Sequence, residues 1–144
     1  MRENHSRMLR LDPEDFGEIE IFAREILGCG CPDDVFLDIS VEKDPASFAG
    51  LPVEFLIKIG GRLMIGVVPL SQTDEALPLL RQLLETGRDL RDREGFNRFR
   101  LVFISDDPEK MQKSIEKKLN GFSGLDDRIH AHAVRPGSLP HCCK

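Results

Sequence analysis

The first clear pattern along the chain is a helical one. In "LDPEDFGEIEIFAREILG" the apolar residues Phe16, Ile19, Phe22, Ala23, Ile26 and Leu27 recur three and four positions apart and share one face of a helix. The polar positions frame it, with Asp12 as N-cap, Pro13 at the first helical position, acids in the first turn and Gly28 as the stop. The period then drops to two. "VFLDISVEK" places Val35, Leu37, Ile39 and Val41 on one face and Phe36, Asp38, Ser40 and Glu42 on the other, as in a half-buried strand. "PVEFLIKIGGRLMIGVVP" is two apolar runs joined by Gly60 and Gly61, whose tolerance of positive φ suits a two-residue hairpin turn. That turn sets Ile59 opposite Arg62 and Phe55 opposite Gly66.

Helical spacing returns in "SQTDEALPLLRQLLETGRDLRDREG", with Ser71, Thr73 and Asp74 as cap choices and Leu77, Leu80, Leu83, Leu84 and Leu90 as the buried stripe. Pro78 is compatible with this helix near its first turn, and Gly87 is its weak point. "FRLVFIS" is almost continuously apolar, which predicts a parallel strand covered on both faces. "DDPEKMQKSIEKKLNG" predicts a helix capped by Asp107, with Met111, Ile115 and Leu119 inward and Gly121 as its stop, and "RIHAHAV" predicts a last short strand. The order α-β-β-β-α-β-α-β predicts one α/β domain over residues 12–134, with helices packed on a mixed sheet of about five strands. An α+β arrangement fits the same order. Residues 1–11 read as a flexible arm and 135–144 as an irregular tail.

Composition narrows the class. A chain of 144 residues is of ordinary single-domain size, and 40% hydrophobic with 31% charged residues fits a globular protein with its own core. Nine Phe with neither Trp nor Tyr assigns the aromatic residues to packing rather than to a binding platform. A net charge of -5 argues against broad nucleic-acid or acidic-membrane binding. The start has no signal-peptide pattern, and no apolar run reaches the roughly 18 residues of a membrane helix, so the expected location is cytoplasmic. In that reducing compartment the four cysteines are expected as thiols or metal ligands rather than as a structural disulfide.

Four groups of side chains offer chemistry. Cys29 and Cys31 in "GCGCP", with His141, Cys142 and Cys143 in "PHCCK", form a thiolate-rich set suited to zinc or an iron-sulfur cluster, or to dithiol redox work. The plain alternative is a helix-ending turn and an untended tail, because the usual two-residue ligand spacing is missing and the helix C-terminus raises thiol pKa values. Asp38 on the first strand, Glu75 or Glu85 in the second helix and Asp106 after "FRLVFIS" follow an element order similar to that of ribonuclease H-like folds, and that similarity implies a metal-dependent nuclease. His130 and His132 alternate on one strand face, either as paired ligands or as its solvent side. Arg88, Arg91, Arg93, Arg98 and Arg100 interleave with acids as a salt-bridged surface does, with room for a phosphate-bearing partner. The reading that best fits all of this is a small binding or accessory module without its own catalytic site, with the thiol-metal and nuclease readings as alternatives.

Overall fold

A computed structural model describes residues 6–144. Residues 1–5 of the expected arm lie outside the described residues. Six strands form one mixed sheet in the sequential order β1 (Arg7–Met8), β2 (Ile39–Lys43), β3 (Phe55–Ile59), β4 (Leu63–Val68), β5 (Arg98–Ile104) and β6 (Ile129–Val134). The first four run antiparallel to their neighbours, whereas β4, β5 and β6 are parallel. The chain is thus a single α/β domain with a mixed sheet, one strand richer than expected because Arg7 and Met8 of the arm pair with Lys43 and Glu42.

Each face of the sheet carries its own core. Helix α1 (Pro13–Ile21), continued by a π turn over Phe22–Ile26, packs Ile19, Phe22 and Ala23 against Val41, Ile57 and Ile65. Asp12 accepts from the Asp15 backbone while Asp15 reaches back to the Asp12 N–H, a reciprocal cap that starts the helix where Pro13 favours it. On the opposite face, α2 (Thr73–Ala76), α3 (Leu80–Glu94) and α4 (Pro108–Leu119) cover Leu56, Met64, Phe99, Leu101 and Phe103. The long second helix expected from the leucine stripe is interrupted: Pro78 sits in a 3-10 turn, Leu77–Leu79, between α2 and α3. Thr73 is not a cap, and its buried hydroxyl donates to the Ile104 carbonyl at 2.7 Å, which ties α2 to the end of β5.

Two strand details correct the alternation pattern. Asp33–Leu37 winds into a 3-10 helix after Pro32, so β2 begins only at Ile39 and Leu37 is left 81% exposed. The hairpin turn has three residues rather than two, since Arg62 joins Gly60 and Gly61 in the loop and its N–H returns to the Ile59 carbonyl. Ile59 therefore pairs with Leu63, and Leu56, not Phe55, lies opposite Gly66. The ring that covers Gly66 is Phe99 of β5, and the same ring lies under Gly87 of α3. Gly87 is therefore a contact requirement rather than a weak point.

The sheet edges are guarded differently. The β1 edge is two residues long, and at β6 the Gln112 amide of α4 accepts from the Ala133 N–H at 2.8 Å and donates to the Ala131 carbonyl at 3.4 Å. One side-chain amide thus occupies backbone groups that an added strand would use. No helix among the described residues is long and apolar enough to cross a membrane.

A Cβ at position 87 would lie 2.3 Å from Phe99 Cε2. Gly87→Ala should therefore lower stability by about 1–2 kcal/mol despite alanine's better helix propensity, because overpacking outweighs the roughly 1 kcal/mol backbone gain. Thermal melts check this, and in a Phe99→Leu background the same substitution should be neutral or stabilising.

Candidate functional site

The side chains of β5 divide by strand alternation. Phe99, Leu101 and Phe103 enter the core under α3 and α4, so Arg98, Arg100, Val102 and Ile104 project to the α1 side. Val102 and Ile104 are covered there, while Arg98 and Arg100 are half-buried at the amino end of the strand. Beside them β6 contributes His130 and His132 on the same side, because Arg100 is in register with His130 and Val102 with His132. Four nitrogen-bearing side chains on two rigid neighbouring strands form a stripe across the sheet.

Hydrogen bonding within the stripe is specific. Arg100 Nη1 lies 2.8 Å from His132 Nε2, and Arg98 Nη1 lies 3.4 Å from His130 Nε2. A guanidinium only donates, so His132 Nε2 must accept, which requires a neutral imidazole with its proton on Nδ1. Electrostatics agrees: burial first, then Arg100 and His130, pushes His132 down to about 4. His130 is shifted the same way by burial, Arg100 and Arg98, against a partial opposite pull from Asp127 and Asp126. Burial and the neighbouring Arg98 charge also lower Arg100.

What sets these two arginines apart from the rest of the run is burial without a carboxylate. Arg88 pairs with Asp89, and buried Arg91 holds Asp126 through two nitrogens at 2.9 and 2.7 Å while also meeting Asp92. Among the described residues neither Arg98 nor Arg100 meets a carboxylate, and Arg100 Nε is buried without any partner. The sequence run of alternating charges is thus two different things. Its helical half is salt-bridged at Arg88 and Arg91, with Arg93 exposed to solvent, and its strand half is a pair of half-buried neighbouring cations beside two accepting imidazoles. A donor atom desolvated without an acceptor is costly, and so are like charges held together, unless an anion joins them.

The other candidates fall elsewhere. Cys29 and Cys31 are joined by a disulfide across Gly30, in place of the expected pair of thiols. Cys142 and Cys143 are free thiols with their sulfurs 3.2 Å apart. The tail that carries them is irregular but packed: the His141 N–H donates to Glu18 at 2.7 Å, and Leu139 and Cys143 are buried. Glu18 is on the second turn of α1, whereas Cys29 and Cys31 follow the end of that helix, and all four cysteines border the same apolar core. The hydrogen bond to Cys142 and burial, with Asp15 and Glu54 adding to them, raise the Cys143 thiol well above its ordinary range. Among the described residues no three His, Cys, Asp or Glu side chains come together as a metal-ion site.

The acids do not converge either. Asp38 precedes β2 and Asp106 follows β5, and because β2 and β5 run in the same direction these positions are at opposite ends of the sheet with β3 and β4 between them. Seven residues of β5 alone correspond to about 23 Å. Glu85 is paired with Arg81 on the exposed face of α3, and Glu75 is on α2. The ribonuclease H-like order would require Asp38 near the end of β5, which this strand sequence does not provide.

At the carboxyl ends of β4 and β5 the packed tail borders an open cavity of about 360 Å³ lined by Val67, Pro69, Leu70, Ile104, Leu139 and Cys143, with Glu54 and Lys144 on its wall. A larger cavity of about 720 Å³ adjoins it, sharing Glu54 and Pro69 and carrying Asp44 and Glu75. Sequence reasoning missed this end of the sheet, since its walls come from segments far apart in the chain. Comparison with protein-family models, curated proteins and solved structures finds no match for the chain.

Neutral His132 next to Arg100 has a consequence for pH. Its folded pKa of about 4 lies below the ordinary 6.5, so the unfolded chain binds the proton more tightly. Stability from this group should be complete above the ordinary value and fall as pH drops from about 6.5 toward 4. Proton NMR of the imidazole should place the His132 midpoint near 4, and His132→Gln should lose less melting temperature than the parent between pH 7 and 5.

Proposed function

We propose that the protein is a binding module that receives an oxyanion, a phosphate or carboxylate group, on the stripe formed by Arg98, Arg100, His130 and His132. The observation that carries this reading is the pair of half-buried arginines without a carboxylate partner. Two arginines two residues apart on one strand have Cα atoms about 7 Å apart, so their forks can converge on a single tetrahedral anion or on two linked ones. Arg100 Nε supplies an unused donor. Planar, permanently charged forks suit phosphate better than ammonium groups do.

The imidazoles act as placeholders. In the free protein His130 and His132 accept from the arginines; when an anion arrives it becomes the better acceptor, and an imidazole that then gains a proton becomes a further donor. For an anion whose own charge is constant over the range, binding should therefore tighten as pH falls from about 7 toward 5, opposite in sign to the loss of stability of the free protein. The site remains compatible with a net charge of -5, because the attraction is local and the surrounding acids disfavour long polyanions.

Titration calorimetry with pyrophosphate at low ionic strength tests the reading. Saturable binding is expected, weakened about tenfold by Arg100→Gln or Arg98→Gln, which corresponds to losing one charge-assisted hydrogen bond. Bound pyrophosphate should also raise the His132 midpoint. Unchanged affinity in the Arg98→Gln/Arg100→Gln double variant would exclude this site.

A further inference from the structure

The two adjoining cavities at the carboxyl end of the parallel strands are unrelated to the arginine stripe, which sits at the amino end of β5. We infer that they form one bipartite site for a small amphipathic amine, whose apolar body fills the 360 Å³ cavity while its ammonium group meets Glu54.

The apolar half is a groove with fixed walls, open to solvent on one side. Its floor is Val67 and Ile104, residues fixed in the two central strands, and its cover is Leu139 and Cys143 of the tail. The tail is held in place by the His141 N–H on Glu18 and by the burial of Leu139, so the cavity wall is part of the packed structure. A cavity of a few hundred Å³ with a mostly apolar lining and a few polar groups at its edge is of the size and character that receives small ligands.

Charge chooses among small apolar ligands. The one acidic residue that lines both cavities is Glu54, and its backbone is pinned on both sides, with its N–H on the Val67 carbonyl and its carbonyl accepting from Asp44. Among the described residues the Glu54 carboxylate has no ion-pair partner, and Asp44 and Glu75 of the larger cavity have none either. Lys144 is the one basic residue on the walls of either cavity, against those three acids. A carboxylate ligand would face that excess directly. A protonated amine placed between the cavities meets Glu54, keeps Asp44 and Glu75 at longer range and leaves its apolar body away from water.

The chemistry also separates this site from thiol capture. Cys143 faces the cavity as a protonated thiol, held so by Cys142, by burial and by the carboxylates of Asp15 and Glu54. It contributes a soft apolar wall atom.

The probe set is phenethylammonium, 2-phenylethanol and 3-phenylpropionate, which share a ring and differ in head-group charge. Calorimetry on the full chain at pH 7 should give saturable binding of the amine, at least tenfold weaker binding of the alcohol and weaker binding still of the acid. Glu54→Gln should remove the preference of amine over alcohol while leaving the alcohol's affinity within about twofold. Leu70→Trp, at a position 44% exposed on the cavity rim, should block amine and alcohol together without disturbing the core. Equal or tighter binding of the carboxylate, an amine preference that survives Glu54→Gln, or no saturation by about 10 mM amine would each overturn the inference. Pyrophosphate binding at the arginine stripe should be unaffected by Leu70→Trp, so the two readings fail separately.

Discussion

Phe99 is the residue on which the rest of the sheet turns. Its ring fills space left by two absent side chains, at Gly66 on β4 and Gly87 on α3, and it stacks on Phe48 with centroids 5.9 Å apart. Because side chains on a strand alternate, seating Phe99 in that slot commits Leu101 and Phe103 to the α3 side and Arg98 and Arg100 to the α1 side. A slip of one residue would bury two arginines beneath α3 and place Phe99 outside. The arginine pair is therefore held in its half-buried position by aromatic packing on the opposite face, and no partner of its own is needed to orient it.

Much of this was visible in the chain. Helix boundaries marked by Asp12 with Pro13 and by Asp107 with Pro108 are local chemistry, and local chemistry can be read from neighbours. The parallel central strand was legible because a strand covered on both faces shows no alternation. Hairpin register was not, since choosing a two- or three-residue turn around Gly60 and Gly61 depends on packing across the sheet, where a Cβ on Gly60 would meet Val35 at 2.4 Å. Val35 itself belongs to a 3-10 turn that alternation alone misreads as strand.

The candidate site was only half legible, for a related reason. Along the sequence Arg88 to Arg100 is one stretch, but Gly95, in a left-handed conformation, ends α3 and turns the chain into β5. Before that point Arg88 and Arg91 find acids on the helix or on the loop at Asp126, whereas Arg98 and Arg100 after it are carried into a sheet whose neighbouring positions are Leu63, Ile65 and two histidines. Partner identity is a tertiary property, and charge alternation in sequence does not report it. His130 and His132 were noticed as a pair, yet their role changes once the guanidiniums beside them force both to accept.

Both ends of β5 are consequently specialised by the elements that reach them. Beyond the carboxyl end, the tail crosses over Ile104 and is latched to α1 through Glu18, and Thr73 fastens α2 to the same carbonyl row. At the amino end Arg62 accepts from both Asn97 and Arg98 through its backbone carbonyl, and Arg128 reaches Asn97, so the start of the strand is tied to the hairpin and to the approach to β6. Four residue steps of a central strand, roughly 13 Å, separate Arg100 from Ile104. A rigid strand can position a cationic stripe at one end and an apolar, acid-rimmed cavity at the other without requiring either to move when the other is filled. That separation is what a small module needs if it is to hold two unlike groups, and a sheet anchored through Phe99 provides it with one element.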